Sequence, residues 1–143
     1  MIEQLSAIVG KDHVLTGGDL ARWGQDWMGQ YKSDPIAVVR PATTQEVAEV
    51  VKLGNATKTP IVPVSGNTGL AGGASGQGHI MISMERMNRI YDIRKDARIA
   101  IVGAGVILAD IQSAANAEDL VFPLTFGARG TCLIGGCMAT NAG

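Results

Sequence analysis

The sequence has no excess of positive charge, few aromatic residues and no long apolar run. Twelve Lys and Arg residues and thirteen Asp and Glu residues give a formal net charge of −1. A protein that binds nucleic acid through its phosphates needs a basic surface, so we expect no nucleic-acid partner. The longest stretch without a charged residue, residues 59–84, contains six glycines and several polar side chains. A spanning helix requires about 20 mostly apolar residues, so no membrane span is predicted.

Cysteine and histidine are too scarce for a disulfide framework or a common metal site. The chain has two cysteines, Cys132 and Cys137, and two histidines, His13 and His79. The cysteines are five positions apart with no histidine nearby, which fits no common zinc spacing and predicts buried or idle thiols. Free thiols are typical of a reducing compartment. The first residues also lack the basic region and the apolar core of a secretory signal peptide. We therefore expect a cytoplasmic protein.

The common nucleotide motifs are absent from the sequence or incomplete. No G-x-x-x-x-G-K-[ST] loop occurs. Residues 102–108 begin like the dinucleotide-binding fingerprint, but Leu108 occupies the position of its third Gly or Ala. The preceding strand also has the pattern of half a hairpin. We therefore interpret Gly103 and Gly105 as parts of a structural turn, with an NAD-dependent enzyme as the alternative.

The first 34 residues predict a helical segment ahead of the main fold. Apolar side chains share one helical face between residues 2 and 9, and Gly10 can end this helix. Three aromatic residues follow at intervals of four, but glycines between them disfavour a regular helix: Trp23, Trp27 and Tyr31. We interpret these three as packing residues and not as ligand contacts.

Residues 35–88 have the pattern of a parallel β-α-β unit. Short apolar runs of the buried-strand type occur at residues 36–39, 61–64 and 80–84. Pro63 lies inside the second run, which favours a strand end or an edge position. The long connection between the first two runs predicts a helix crossover and parallel pairing.

The crossover helix has a start and a stop signal. Thr43 and Glu46 form a capping box, in which a hydroxyl and a carboxylate satisfy free amides at the helix start. Pro60 ends the helix soon after Lys58. We expect one buried face, formed by Val47, Val50 and Val51.

After residue 88 the pattern changes to an antiparallel one. Residues 90–94 and 98–102 flank a polar turn and predict a hairpin. A helix from Ile107 to about Glu118 follows, and residues 120–143 are rich in glycine without clear periodicity. We expect three parts: a helical segment at 1–34, a first subdomain at 35–88 and an incomplete second subdomain at 89–143.

Nineteen of the 143 residues are glycines, nearly twice the usual share of about 7%, and many lie in two clusters. Residues 65–74 directly follow a predicted strand. Residues 127–143 share their composition, with paired glycines, small hydroxyl residues, an Asn and apolar residues among them. Exposed amides in such turns can hold a phosphate, whereas the alternative is a flexible surface loop. Two such clusters suggest a ligand with two phosphates and a flat apolar part, such as a dinucleotide. Arg129 is either a neutralising cation there or a solvated surface residue.

Several motifs in this order resemble the vanillyl-alcohol oxidase/p-cresol methylhydroxylase flavoproteins. Residues 63–73 are similar to the phosphate-binding loop of that family, residues 40–47 to its strand-to-helix entry, and residues 134–143 to its second flavin-binding loop. Within the family, three stretches resemble the FAD-linked D-2-hydroxy acid dehydrogenases of the D-2-hydroxyglutarate dehydrogenase type: residues 26–28, 66–70 and 127–132.

The resemblance implies an α+β FAD-binding domain with a small parallel β-α-β subdomain and a mainly antiparallel one. By similarity, the first loop would hold the FAD pyrophosphate with Ser65, Gly66, Asn67, Thr68, Gly69 and Leu70. The rest of the flavin site would be lined by Pro123, Gly127, Gly130, Thr131, Cys132, Gly135, Gly136, Thr140 and Asn141. Some members attach FAD through a histidine of the first loop, and its absence here predicts a non-covalent flavin.

The implied activity is oxidation of a D-2-hydroxy acid, of 2-hydroxyglutarate or lactate type, to the 2-oxo acid, with an electron acceptor as partner. Cys137 stands where the subgroup usually has Asn, and the sequence ends inside the second loop. We therefore expect a fragment without catalytic or metal-binding residues of its own, which associates with other copies through an unpaired strand edge. The alternative is a non-catalytic FAD- or nucleotide-binding module.

Overall fold

In a computed structural model, which describes residues 1–142, the chain forms a four-stranded mixed sheet followed by a two-stranded hairpin. The strands are β1 (Val14–Leu15), β2 (Asp34–Val39), β3 (Ile61–Val64), β4 (Gln77–Ser83), β5 (Ile90–Arg94) and β6 (Ile99–Val102). The helices are α1 (Ile2–Val9), α2 (Thr44–Thr57), α3 (Leu108–Asn116) and α4 (Ile134–Ala139). None of the helices in the described part of the chain has the length and apolar character needed to cross a bilayer.

The four-stranded sheet has the order β1-β2-β4-β3. β2 and β3 both run parallel to β4, which lies between them, and the crossover helix α2 connects β2 to β3. This confirms the predicted parallel β-α-β unit. Pro63 lies in β3 at the edge of the sheet, where its missing N–H costs no ladder hydrogen bond. The antiparallel strand β1 was not predicted, because two residues carry no periodicity.

Both faces of the parallel sheet are buried, which explains the continuous apolar runs. One face packs against α1 and α2 and includes Ala37, Val39, Ile80 and Ile82. The opposite face packs against the 3₁₀ turn Gly17–Trp23 and includes Val38 and Met81. The sheet is therefore a rigid platform for the loops at its ends.

Helix α2 begins and ends as its signals predict. The Glu46 amide donates to Thr43 Oγ1 at 3.1 Å, while the Glu46 carboxylate accepts from the Ala42 amide at 2.6 Å. Lys58 ends the helix with a left-handed φ of 56°. The predicted buried face is confirmed at Val50 and wrong at Val51, which is 46% exposed, because the helix turns Val50 and Gly54 toward the sheet.

The packing role assigned to the three aromatic residues holds for one of them. Trp23 ends the 3₁₀ turn and is 2% exposed. Trp27 is 75% exposed and Tyr31 is 43% exposed, so the interpretation as packing residues is wrong for Trp27 and only partly right for Tyr31. The chain reverses direction between them at Gly29, whose φ is +70°, and this breaks the apparent helical spacing.

The hairpin and α3 are confirmed, whereas α4 was missed. β5 and β6 pair antiparallel, as their flanking of a polar turn predicts. Residues 120–142 contain the six-residue helix α4, which has two glycines and is too short to show a periodic pattern. It contributes to a second apolar core with α3, formed by Val106, Leu108, Ile111, Cys132, Ile134 and Cys137.

Candidate functional site

A cavity of about 480 Å³ opens beyond the carboxyl ends of β3 and β4. Ligands of parallel sheets commonly bind at this edge, because the loops that follow the strands meet there. The walls come from the loops after β3 and β4, from the start of α3 and from the chain before α4. They comprise Arg22, Trp27, Ser65, Gly66, Thr68, Glu85, Asn88, Gly105, Ile107, Asp110, Gly130, Thr131 and Leu133.

The first glycine cluster has backbone amides without partners, and Ser65, Gly66 and Thr68 of this cluster line the cavity. The amides of residues 66–70 donate no hydrogen bond to another residue of the described part of the chain. Asn67 has a φ of 52°, a left-handed turn conformation that groups successive amides on one side of a loop. The cluster of free amides is the chemistry that an oxyanion needs, so these residues fit a pyrophosphate group.

The side chains of the first cluster have different surroundings. Thr68 lines the cavity, but the Asn67 side chain donates through Nδ2 to the Gln25 carbonyl at 3.1 Å. Asn67 therefore ties the loop to the segment before β2. Leu70 is 58% exposed, and nothing lies within 4 Å of a Cβ added at Gly69. The tip of the loop is open to an approaching ligand.

The two glycine clusters lie against each other. A Cβ at Gly66 would collide with the Thr131 carbonyl oxygen and would lie 2.9 Å from the Cα of Cys132. On the other side, a Cβ at Gly136 would lie 3.0 Å from the Cβ of Ser65. The glycines at these positions allow two backbones to approach closely. The fold thus brings together two segments more than 60 residues apart in the sequence.

The structure places Pro123 and the predicted residues of the second cluster in two environments. Gly130 and Thr131 line the cavity beside the first loop. Pro123, Gly127 and Asn141 are exposed and do not line it, and the Thr140 hydroxyl donates to the Gly136 carbonyl at 2.9 Å. Gly143, the last residue of the matched motif, lies outside the described residues.

Cys132 is part of the second core and does not face the cavity. It is 3% exposed, its amide donates to the Ala128 carbonyl at 2.8 Å, and its carbonyl accepts from the Leu108 amide at 3.2 Å. Burial, with a hydrogen bond to Cys137, raises the pKa of the Cys132 thiol to about 11. The prediction of buried thiols is confirmed, since Cys137 is also buried.

The first amides of helices α3 and α4, near the cavity, already have hydrogen-bond partners and are not free to bind an anion. The Leu108 and Ala109 amides of α3 donate to the Cys132 and Arg129 carbonyls, and the Ile134 and Gly135 amides of α4 donate to the Val106 and Ala104 carbonyls. A dinucleotide-binding turn needs such amides free for the pyrophosphate. Side chains at Gly103 and Gly105 would collide with the Met87 and Met84 carbonyls, which confirms the structural turn.

Sequence reasoning missed seven of the side chains that line the cavity: Arg22, Trp27, Glu85, Asn88, Ile107, Asp110 and Leu133. Glu85 forms ion pairs with two arginines, with Arg22 at 3.4 Å and with Arg40 at 3.2 Å. Arg129, which was considered as a neutralising cation, is exposed and does not line the cavity. The similarity of residues 26–28 to the subgroup was the available signal for Trp27.

The fold and the cavity define a class of protein: an α+β cofactor-binding domain in which glycine loops from two units share one cleft. The solved structure of p-cresol methylhydroxylase with substrate bound superimposes with a TM-score of 0.75 at 27% identity. The match covers 91% of this chain and 26% of that chain. The fold is therefore of the p-cresol methylhydroxylase type, as the motifs predict.

Sequence comparison gives the family. The profile described as "FAD binding domain" matches residues 35–143, so the chain belongs to this FAD-binding family. The chain is 41% identical to D-2-hydroxyglutarate dehydrogenase of Xanthomonas citri pv. viticola, over 87% of this chain and 27% of the relative. It is 38% identical to D-lactate dehydrogenase of Anaerostipes hadrus, over 100% of this chain and 30% of the relative. The chain thus spans less than a third of the length of these relatives.

Proposed function

We propose that this chain is the FAD-binding portion of an FAD-dependent oxidoreductase that converts a D-2-hydroxy acid to the 2-oxo acid. The free amides of residues 66–70, at a cleft in a chain of the FAD-binding family, carry the proposal. The names of the relatives support a substrate of the 2-hydroxyglutarate or lactate type. FAD, when bound, would accept the hydride from the α-carbon of the hydroxy acid.

The residues of the first loop would hold the pyrophosphate. Gly66 and Thr68 line the cavity, and the amides as far as Leu70 are free to donate to phosphate oxygens. Gly130 and Thr131 would line the adjoining part of the flavin site. The other predicted contacts, Pro123, Gly127, Cys132, Gly135, Gly136, Thr140 and Asn141, would border or support it.

We propose that the flavin is held without a covalent bond. Covalent attachment of the kind considered above needs a histidine in the first loop, and residues 63–78 contain none. His79, the nearest one, is 1% exposed and lies in the sheet, away from the cavity walls. Without a covalent bond, the flavin would be held by hydrogen bonds from backbone amides, by small side chains and by packing against its ring system.

The subdomain boundary near residue 88 is also a proposal. It is supported by the end of the parallel sheet at Ser83 and the start of the hairpin at Ile90. The cavity spans this boundary, since both sides contribute walls.

The partners and the compartment complete the proposal. We propose an electron acceptor for the reduced flavin and self-association through the open edge of the hairpin. Two free, buried cysteines support a reducing compartment and hence a cytoplasmic location. A non-catalytic FAD-binding module is the second candidate, supported by the family match, which concerns the cofactor and names no substrate.

The test uses the full gene product that carries this chain. The purified protein should show flavin absorbance, and denaturation should release free FAD. With a dye acceptor, D-2-hydroxyglutarate or D-lactate should be oxidised and their L-enantiomers should not. Bound flavin without turnover of any 2-hydroxy acid would favour the non-catalytic module, and a protein that binds no flavin would refute both.

A further inference from the structure

A short turn ahead of the parallel sheet lies against the first glycine loop. Residues 25–32 reverse direction at Gly29, and an isolated antiparallel bridge between the two end residues closes this 25–32 turn. Inside the turn, the Asp26 amide donates to the Tyr31 carbonyl at 3.0 Å, and Asp26 Oδ1 accepts from the Tyr31 amide at 2.9 Å. The turn is therefore braced by its own hydrogen bonds.

Two hydrogen bonds fix the ends of the glycine loop to this part of the chain. Near the start of the loop, Asn67 Nδ2 donates to the Gln25 carbonyl of the 25–32 turn at 3.1 Å. At the end of the loop, the Gly76 carbonyl accepts from the Asp34 amide at 2.8 Å. Within the described part of the chain, the residues between these two points make no hydrogen bond outside the loop. The middle of the loop therefore depends on packing for its position.

The ring of Tyr31 packs on the middle of the loop, at Gly72. A Cβ added at Gly72 would lie 2.7 Å from Cδ1 and 2.8 Å from Cγ of the ring, so the ring rests directly on the glycine backbone. Gly72 also has a φ of +71°, a conformation that residues with a side chain rarely adopt. The half-exposed Tyr31 thus has a packing partner, and this partner is the glycine loop.

The free amides of residues 66–70 lie just ahead of the ring contact at Gly72. A loop that is already held in its binding conformation loses less conformational entropy when a ligand binds, and this raises the affinity. Tyr31 does not line the cavity. An effect of its ring on a bound cofactor would therefore act through the loop.

We propose that Tyr31 is a positioning residue for the cofactor, whose ring holds the first glycine loop in the conformation in which the amides of residues 66–70 can bind a pyrophosphate. This inference rests on the proposed function, since it takes the pyrophosphate to lie at those amides. The FAD-binding profile matches residues 35–143, so the 25–32 turn lies ahead of the matched region. A segment outside the profile then contributes to the affinity for FAD.

The experiment measures the affinity of the apo form of the full gene product for FAD, by quenching of flavin fluorescence. Tyr31→Ala removes the ring, whereas Tyr31→Phe keeps it. Tyr91→Ala, at a tyrosine of β5 that is 55% exposed and outside the cavity walls, is the matched control. Urea unfolding of each apo form gives its free energy of unfolding.

Tyr31→Ala should weaken FAD binding about tenfold, whereas Tyr31→Phe and Tyr91→Ala should bind FAD like the wild type. The free energy of unfolding should fall no more for Tyr31→Ala than for Tyr91→Ala, because the Tyr31 ring belongs to none of the apolar cores. Unchanged FAD binding by Tyr31→Ala, or an equal loss in Tyr31→Phe, would overturn the proposal. A loss of affinity that follows a larger loss of apo-form stability would also overturn it, because the ring would then support the fold as a whole.

A second variant, Gly72→Ala, tests the contact from the side of the loop. Its added methyl group meets the Tyr31 ring, so FAD binding should weaken. In the Tyr31→Ala background the same substitution should cost less affinity, since the methyl group then meets no ring. Additive effects of the two substitutions would contradict the proposed contact. A wild type that binds no FAD would refute the proposed function itself.

Discussion

Gly66 and Gly69 lie three residues apart in the same loop, but an added side chain would meet different surroundings at each. At Gly66 it would collide with the Thr131 carbonyl, which belongs to the backbone and cannot turn away. At Gly69 it would project into open space. A substitution at Gly66 therefore tests the packing of the loop in the fold, and a substitution at Gly69 tests the binding of a ligand by the loop.

The variant Gly69→Val should fold normally and lose its flavin. The branched side chain has room in the structure, but it blocks the backbone approach of a pyrophosphate to the loop. Thermal unfolding and flavin content of the full gene product are the measurements. Normal flavin content in the folded variant would refute the assignment of the loop.

Gly66→Ala should act on stability instead. Forcing a side chain against a fixed backbone atom costs about 1–3 kcal/mol in well-packed sites. Urea unfolding should therefore show a lower free energy of unfolding for Gly66→Ala, with Gly69→Ala as the matched control close to wild type. Equal stability of the two alanine variants would show that the contact between the loops is not rigid.

His79 should make stability depend on pH. Burial lowers the pKa of the His79 imidazole below its usual 6.5, and the nearby Asp34 carboxylate offsets part of this shift. The unfolded chain then binds a proton more readily than the folded chain. The free energy of unfolding therefore carries no penalty from His79 well above pH 6.5. It falls as the pH drops from 6.5 toward the folded-state pKa, by at most about 1.4 kcal/mol per pH unit.

The measurement is urea unfolding at several pH values between 7 and 5, for the wild type and for His79→Leu. The variant lacks the titrating group, so its stability should fall less steeply over this range. His13→Leu, at a partly exposed histidine, is the control. Parallel slopes for the wild type and His79→Leu would contradict the prediction.

At the scale of elements, helix α2 depends on its cap. Thr43→Ala removes the acceptor for the Glu46 amide and should lower the free energy of unfolding by about 1 kcal/mol. Thr44→Ala, one residue along and without a side-chain hydrogen bond in the cap, is the control. Equal effects of both substitutions on chemical denaturation would show that the Thr43 hydroxyl is not the stabilising group.

Elements with a strong local signal could be predicted from the sequence. The apolar runs of β2, β3 and β4, the capping box of α2 and the polar turn of the hairpin are all decided by residues close in the chain. Pro63 even indicated an edge position for β3. The resemblance of the glycine clusters to flavin loops predicted a shared site, and residues of both clusters line one cavity.

Elements held by distant contacts could not be predicted. α4 forms because its first amides donate to the 104–106 carbonyls, a contact that no local pattern contains. The exposure of Trp27 follows from the chain reversal at Gly29. Likewise, only the folded chain shows that Cys132 faces the core while Thr131, its neighbour, faces the cavity.

For the whole molecule, the hairpin predicts association. β6 pairs only with β5 within the described residues, and its Ile99 and Ile101 side chains are 50% and 36% exposed. Residues 120–142 pack against the second core and leave both isoleucines uncovered. An apolar strand with an open edge is a template for pairing with another chain.

Light scattering of the 143-residue chain at several concentrations should show a mass above that of one chain. Ile101→Lys places a charge on the edge strand and should shift the mass toward a single chain. Val121→Lys, at an apolar residue that is 80% exposed elsewhere, should not. A mass of one chain at every concentration would rule out association of the wild type.

The 143-residue chain alone should bind FAD weakly. The cavity is open, and holding its glycine loops in one conformation costs about 1–2 kcal/mol per residue in backbone entropy. Titration calorimetry of the chain with FAD should show much weaker binding than that of the full gene product. Tight binding by the short chain would contradict this expectation.

The strand order also has a consequence for synthesis on the ribosome. β2 and β3 do not pair with each other, and each waits for β4, which is made last of the three. Until residue 83 has left the exit tunnel, the nascent chain therefore carries β3 without a partner and β2 with only the two-residue β1 beside it. Helix α2 can form in the meantime, because its hydrogen bonds are local. A ribosomal pause soon after this point would give the central strand time to close the sheet before the hairpin emerges.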